Sequence, residues 1–127
     1  MNQNKKFLFL ISFKGGFFII KEGKRKRYIG FVISTKNNEK IDKKELISEI
    51  KNQCKKMFDT DYKNLGLYLI KYNDKGMGII KCRHTEKEYT IKLLSDIKKI
   101  GNIKININTV ATSGTIKTLI RKHMSDF

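Results

Sequence analysis

Proline is absent from this sequence of 127 residues, and cysteine occurs only twice. Without proline there is no Pro-rich linker, and the length favours one domain whose core needs neither disulfides nor a metal. Cys54 and Cys82 form no CxxC pattern, which predicts two small core residues in a reducing compartment. His84 lies close to Cys82, but two further zinc ligands are not evident. The sequence therefore predicts no metal site.

Aromatic residues are missing from a segment where an RNA-recognition strand needs them. Residues 75–82, KGMGIIKC, have the spacing of the signature basic-Gly-aromatic-Gly-aromatic-Val-x-aromatic. Met77, Ile79 and Cys82 stand at the ring positions, and they cannot stack on unpaired bases. We therefore expect this sheet face to be buried against protein, with Met77 and Ile79 at a protein interface. Any nucleic acid would be held elsewhere by charge.

Acidic residues are few, since 12 Asp and Glu oppose 28 Lys and Arg and leave a net charge of +16. Such a charge makes nucleic acid the leading class of partner. Only four of the cations are arginines, and lysines act as point charges rather than bidentate readers of bases. We expect phosphate contact rather than sequence reading. The alternative is a proteome rich in Lys, Ile and Asn, in which many proteins are basic, but this would not easily give +16.

Residues suited to catalysis are sparse. A protein nuclease needs a cluster of acidic metal ligands or a histidine pair placed for acid–base work. Asp59 and Asp61 lie at a predicted helix end, where acidic turn residues are common. His84 and His123 are more typical of surface residues or phosphate donors than of a catalytic pair. No catalytic residue is predicted, and a metal-dependent nuclease using Asp59, Asp61 and His84 is kept as an alternative.

The first part of the chain is apolar from residue 7 to residue 20, interrupted by Lys14, Gly15 and Gly16. This run is too short to span a bilayer, and no small-x-small cleavage pattern follows it. An ordered hairpin, an arm that docks on a partner, and a disordered or wrongly assigned start are all open. We favour an extension over residues 1–23 outside the core fold, followed by a single RRM-like domain over residues 24–127.

The remaining pattern predicts an alternation of strands and helices. In order, we expect a strand at 28–33, a helix from about 42 to 58, hairpin strands at 65–72 and 77–83, a helix from 85 that ends at Gly101, a strand at 103–107 and a short basic helix after Ser113-Gly114-Thr115. This is an α+β sandwich of RRM-like or ferredoxin-like βαββαβ order plus a C-terminal helix. Two helices would cover one face of a four-stranded antiparallel sheet, and the last helix has the aliphatic opposite face as a natural docking place.

Basic side chains are concentrated in three segments, which we predict to contact RNA. They are Lys24, Arg25, Lys26 and Arg27 before the first strand, Lys71, Lys81 and Arg83 on the central hairpin, and Lys117, Arg121, Lys122 and His123 on the last helix. The first and last segments are interpreted as a phosphate clamp. The alternative interpretation is that they are ordinary solvated faces.

Four short segments, taken in order, carry a resemblance to a known family. They are Lys26-Arg27-Tyr28-Ile29, Leu69-Ile70-Lys71-Tyr72, Gly78-Ile79-Ile80-Lys81-Cys82 and Ser113-Gly114-Thr115-Ile116-Lys117, the last followed by Arg121-Lys122-His123. Over residues 24–124 the chain resembles the archaeal and eukaryotic ribonuclease P protein subunit family, which includes the archaeal component 2. The final segment is the most specific of the four.

The resemblance implies an RRM-like subunit that binds and stabilises a catalytic RNA, which removes the 5′ leader from precursor tRNA. The chain would bind no cofactor, and Mg²⁺ would be used by the RNA of the holoenzyme. The implied partners are ribonuclease P RNA, the TIM-barrel component 3, other ribonuclease P protein subunits and precursor tRNA in the complex. We expect a cytoplasmic protein without a membrane partner. A stand-alone RRM-type binder of single-stranded RNA is the alternative, and it requires an exposed ring at Tyr28 or Phe31.

Overall fold

The computed structural model contains a five-stranded antiparallel sheet and a separate two-stranded hairpin. It describes residues 8–13 and 16–21 by their backbone, and residues 25–125 and 127 with their side chains. The strands are β1 (Leu8–Phe13), β2 (Gly16–Lys21), β3 (Lys26–Thr35), β4 (Tyr68–Tyr72), β5 (Met77–Arg83), β6 (Lys99–Ile100) and β7 (Ile103–Ser113). The helices are α1 (Lys43–Phe58), α2 (Lys87–Ser95) and α3 (Ile116–His123), with short 3₁₀ turns at Lys63–Leu65 and His84–Glu86.

The sheet has the strand order β4-β5-β3-β7-β6, so β3 lies at its centre. Tyr28 of β3 stands opposite Lys81 of β5 on one side and opposite Ser113 of β7 on the other. The predicted α+β class with an antiparallel sheet is confirmed. The predicted number of four strands is wrong, because β6 adds a fifth strand at the edge of β7.

The extra strand takes residues that we had predicted to be helical. α2 ends at Ser95, and the chain then turns so that the Lys98 carbonyl accepts the N–H of Ile105 at 3.0 Å. Ile97 and Ile100 are buried, but neither lies in the helix. Gly101 has φ +61° in the two-residue loop that joins β6 to β7. It therefore serves a hairpin, where a first loop residue of positive φ favours glycine, and not a helix end.

The larger core fills the space between the sheet and two helices, α1 and α2. The inward-facing residues of the central strands include Ile29, Phe31 and Ile80, and all three are fully buried. The two cysteines, Cys54 and Cys82, are buried in the same cluster as free thiols, which confirms their predicted place in the core. Burial raises the pKa of Cys54 to about 12 and that of Cys82 to about 11, so both thiols stay protonated at neutral pH.

The third helix packs on the opposite face of the sheet. Leu119 of α3 and Met124, which follows it, form a second buried cluster with Ile79 of β5. Thr115 caps the N-terminus of α3, because its Oγ1 accepts the backbone N–H of Thr118 at 3.2 Å. The predicted docking of the last helix on the aliphatic face is confirmed.

The hairpin of β1 and β2 pairs Leu8 with Lys21 and Phe13 with Gly16. Three alternatives were open for the start of the chain, and the described strands show the hairpin. Lys14, Gly15 and residues 22–24 lie outside the described residues, so the domain boundary at residue 24 stays a prediction. Within the described ranges, the structure has no helix with the length and hydrophobicity that a membrane span requires.

Candidate nucleic-acid interface

Basic side chains from two segments meet at one end of the sheet, where β3 begins and β5 ends. The Arg25 carbonyl accepts the backbone N–H of His84 at 3.0 Å, which continues the pairing of the two strands. The Arg27 side chain then donates from Nε to Nδ1 of His84, also at 3.0 Å. This hydrogen bond fixes the imidazole as the tautomer that carries its proton on Nε2. Residues 57 positions apart in the sequence are thus joined.

The electrostatic environment of His84 is strongly positive. Partial burial lowers its pKa below the ordinary value, and the charges of Arg25, Arg27 and Lys87 lower it further. Cations that repel a proton in this way would attract a phosphate group for the same reason. We name this group of five residues the basic end: Arg25, Lys26, Arg27, His84 and Lys87.

The basic end lies next to the start of α3. A Cβ atom built on Gly114, just before the helix, would be 3.6 Å from Nη1 of Arg27. The Arg27 side chain therefore lies near the N-terminal end of α3, the helix that carries the second segment of the predicted phosphate clamp. Lys117, Arg121, Lys122 and His123 are all exposed. His123 lies at the other end of α3 from Gly114, roughly 10 Å further along the helix axis.

Two lysines of the central hairpin lie beside aromatic rings. Lys81 of β5 is half-buried, and its Nζ is 5.7 Å from the centre of the Tyr68 ring. Lys71 of β4 is exposed, and its Nζ is 5.9 Å from the centre of the Phe127 ring. Because Phe127 closely follows α3, Lys71 is placed at the far end of that helix from Arg27. Exposed cations are therefore found at both ends of α3 and along it.

Arg83 is held by contacts within the protein, although it stands opposite Lys26 of β3. Its Nη1 donates to the Asn64 carbonyl at 2.9 Å and lies 3.7 Å from Oε1 of Glu86. The Arg83 side chain is only 18% exposed. Its charge is therefore used inside the protein, where it holds the 3₁₀ turn at Lys63–Leu65 against the turn before α2. RNA contact by Arg83 stays a prediction, and these contacts within the protein reduce the availability of its side chain.

The buried carboxylate of Glu86 explains why the positive charge of Arg83 is needed beside it. Glu86 is 2% exposed, and burial raises its pKa, while a hydrogen bond from Thr85 and the charge of Arg83 act in the opposite direction. Thr85 donates its hydroxyl to Oε2 at 2.6 Å, whereas Oε1 has no hydrogen-bond partner within the described part of the chain. A buried carboxylate of this kind requires a nearby positive charge.

Of the two residues predicted for a protein interface on β5, Ile79 is wrong and Met77 stays a prediction. Ile79 is fully buried under α3 and packs with Leu119 and Met124 of the same chain, so it does not present a surface to a partner. Met77 is only half-buried at the margin of that cluster. The aliphatic face that the sequence left for a partner is thus covered largely by the chain itself. The remaining predicted site residue, Lys24, lies outside the described residues.

The rings that a stand-alone RRM-type protein would need are not free. Phe31 is fully buried between the sheet and α1 and α2, and Tyr28 is half-buried against α3. That alternative is therefore not favoured. Tyr68, which the sequence prediction missed, is 57% exposed. Its exposure could have been predicted from the sequence, because Tyr68 alternates with two apolar residues, Leu67 and Leu69. Both leucines are buried, so Tyr68 projects from the opposite face of the strand.

The basic end also contains residues that the prediction of RNA contacts missed. His84 is interpreted from the sequence as a surface residue or phosphate donor and is not counted among the predicted RNA contacts, and Lys87 is not singled out. The only sequence signal was their position directly after β5, which ends beside the basic start of β3.

The residues of the nuclease alternative are explained by the fold. Asp59 ends α1 in a left-handed conformation, and Asp61 lies 3.4 Å from Lys55. Among the described residues, no group of three or more His, Cys, Asp and Glu residues is placed to hold a metal.

Comparison with known proteins gives consistent matches over most of the chain. A model of the Rpp14/Pop5 family matches residues 27–124. Ribonuclease P protein component 2 of Archaeoglobus fulgidus is 29% identical over 100 residues, which cover 79% of this chain and 89% of that protein. Ribonuclease P protein component 2 of Pyrococcus furiosus is 31% identical over 105 residues, covering 81% of this chain and 86% of that protein.

A chain in the cryo-EM structure of yeast ribonuclease MRP has a similar fold. Its TM-score is 0.54 at 14% identity, and the alignment covers 76% of this chain and 79% of that chain. At this identity the likeness concerns the fold alone. The family match covers three of the four segments on which the resemblance was based in full, and the first segment from Arg27 onward. The chain belongs to the Rpp14/Pop5 family, as those segments of a ribonuclease P protein subunit predicted.

Proposed function

We propose that this protein is a non-catalytic subunit of ribonuclease P that binds and stabilises the RNA of the enzyme. The observation that carries the proposal is the convergence of Arg25, Arg27 and Lys87 on His84 beside the start of α3. Clustered cations are what phosphate binding requires. Family membership supports the choice of RNA, since the two archaeal relatives are both named ribonuclease P protein component 2.

The proposed complex contains ribonuclease P RNA, the TIM-barrel component 3, other ribonuclease P protein subunits and precursor tRNA. In this proposal the RNA uses Mg²⁺ to remove the 5′ leader, and the chain contributes no catalytic residue or cofactor. Met77, which is half-buried at the margin of the cluster under α3, is proposed to face a protein partner, and the location is proposed to be cytoplasmic.

The proposed RNA contact follows a path along α3. It starts at the basic end, continues over the exposed side chains of Lys117, Arg121 and Lys122, and reaches Lys71 beside Phe127. Lysines predominate along this path, which suits contact with phosphates rather than the reading of base edges. We therefore expect the affinity for RNA to depend strongly on salt concentration.

The test is to replace Lys117, Arg121 and Lys122 by Ala and to measure the affinity of the full-length protein for ribonuclease P RNA at several salt concentrations. We expect weaker binding, because phosphate contacts are lost. We also expect the slope of log affinity against log salt concentration to become shallower, by up to about one unit for each lost contact.

The matched control is the triple Ala variant at Lys43, Lys44 and Lys56, which removes the same charge from exposed positions on α1. The control should keep nearly the wild-type slope. An equal loss of slope in both variants would show that only net charge matters and would contradict the proposed path.

A further inference from the structure

The aromatic ring of Tyr68 contributes little to the packing of the fold. Tyr68 is 57% exposed on β4, one of the two edge strands of the sheet. The other four tyrosines are buried or half-buried: Tyr28 packs against α3, the Tyr62 hydroxyl accepts the Leu69 N–H at 2.7 Å, Tyr72 packs on the main core, and Tyr89 meets Phe58 edge to face at 6.0 Å. Folding explains these four rings and does not explain Tyr68.

The surroundings of Tyr68 are basic. Tyr68 of β4 stands opposite Lys81 of β5, and Lys81 in turn stands opposite Tyr28 of β3. Side chains that stand opposite one another on neighbouring strands project from the same face. The row Tyr68, Lys81 and Tyr28 therefore lies on the face that carries α3, and the Nζ of Lys81 is 5.7 Å from the centre of the Tyr68 ring.

This row adjoins the basic end. The next residue along β3 on the same face is Lys26, which belongs to the basic end and is exposed. The exposed ring thus has one ammonium group beside it, while Lys26 lies two strands away and two residues along β3, on the order of 12 Å in ideal sheet geometry. Unpaired nucleotides are bound by this combination, because a base stacks on a ring while its phosphate contacts a cation.

We propose that Tyr68 and Lys81 form a binding site for one unpaired nucleotide of the partner RNA, with the base stacked on Tyr68 and its phosphate held by Lys81. The site rests on the proposed RNA-binding function and adds contact with a base to it. It lies on the edge strand, and not at Met77, Ile79 and Cys82, the ring positions of the RNA-recognition signature. A protein contact at this place is disfavoured because lysine is depleted at protein interfaces.

The site is tested by the variants Tyr68→Leu and Tyr68→Phe in the full-length protein, with ribonuclease P RNA as the ligand. Stacking on an aromatic ring contributes about 1–3 kcal/mol per base, so Tyr68→Leu should weaken binding by roughly 5- to 150-fold. Tyr68→Phe keeps the ring and should bind as the wild type does. Val110→Ala, at an exposed apolar residue of β7 that is 44% exposed, is the matched control and should also bind normally.

A second readout uses the absence of tryptophan from the chain. In the variant Tyr68→Trp, the single indole reports directly on the site. We expect a short single-stranded oligoadenylate to quench its fluorescence, and a duplex with the same number of phosphates to leave it nearly unchanged. Equal quenching by both ligands would overturn the proposal, because charge alone would then account for binding.

The results also separate this site from the proposed function. If Tyr68→Leu binds RNA normally while the α3 triple variant is weakened, the stacking site is wrong and RNA binding stands. If Tyr68→Leu keeps its affinity for RNA but no longer binds component 3, the ring is a protein contact and the proposal is overturned. If the wild type binds no RNA at any salt concentration, the proposed function fails, and the nucleotide site fails with it.

Discussion

Two glycines at the start of β5 show that a sequence can match an RNA-binding signature because of packing and turn geometry alone: Gly76 lies in the preceding turn and Gly78 in the strand. Gly78 stands opposite Phe31, and a Cβ at Gly78 would collide with the ring of that phenylalanine. Gly76 has φ +83° in the hairpin turn, and a Cβ there would press on the backbone carbonyl of Ile33. Both glycines of the Gly-x-Gly pattern are therefore required by the fold. Their presence is not a sign that the strand reads RNA.

At the same scale, the candidate site could be predicted only in part. The basic run before β3 and the cations of α3 are visible as charge, whereas the hydrogen bond from Arg27 to His84 depends on strand pairing. Arg83 is less available than its charge suggests, because its partners, Asn64 and Glu86, belong to other elements. The charge of a residue can be read from the sequence, but its availability is set by tertiary contacts.

The buried carboxylate of Glu86 gives a prediction for pH dependence. Burial raises its pKa above that of the unfolded chain. The folded state therefore binds this proton more readily, and the stability that the group contributes is present below the unfolded pKa and is lost as pH rises through the folded pKa. In the variant Glu86→Gln this loss cannot occur. The free energy of unfolding of the variant should thus rise relative to wild type as pH increases from acid to neutral.

Urea denaturation at several pH values measures this difference. The control is Glu88→Gln, since the side chain of Glu88 is 81% exposed, and its difference from wild type should be nearly constant over the same range. A difference for Glu86→Gln that is equally constant would contradict the account of the buried carboxylate.

At the scale of secondary-structure elements, long periodic segments were predictable and short ones were not. α1 was predicted to end at residue 58, as it does, because its apolar residues repeat at helical spacing over more than four turns. β5 was also predicted with its observed limits, since turn residues precede it. Ile97 and Ile100 happen to continue the helical spacing of α2, and the competing strand pairing with β7 is not visible in the sequence.

Two strand boundaries were wrong for related reasons. The predicted strand at 65–72 begins only at Tyr68, because the chain makes a 3₁₀ turn at Lys63–Leu65 and Gly66 has φ +71°. β7 runs on to Ser113, well beyond the predicted end at residue 107. Its second half has exposed or half-buried side chains and lacks the apolar alternation of a half-buried strand. Backbone pairing with β3 extends it instead.

The packing of α3 on the sheet predicts different outcomes for two neighbouring substitutions. Ile79→Glu places a charge in the fully buried cluster with Leu119 and Met124, and this should lower the free energy of unfolding by several kcal/mol. Met77→Glu, at a half-buried position, should cost much less and serves as the control. Chemical denaturation of the isolated protein measures both. Equal stability of the Ile79→Glu variant and wild type would contradict the burial of this face under α3.

For the whole molecule, the fold and the charge distribution together favour a supporting role in a ribonucleoprotein. The sheet is covered by α1 and α2 on one face, and α3 packs on the other. A sheet used in this way leaves limited room for base reading, whereas a net charge of +16 favours broad phosphate contact. Family membership, which the sequence resemblance predicted, supports ribonuclease P RNA as the partner.

The central claim is most directly tested by reconstituting ribonuclease P from its RNA and protein subunits, with and without this chain, at a moderate magnesium concentration. The account predicts that omission of the chain lowers the rate of cleavage of precursor tRNA, and that adding the wild-type protein back restores it. The protein alone should not cleave the substrate with or without EDTA. Equally fast cleavage in the absence of this chain, with its sister subunits present, would contradict the account.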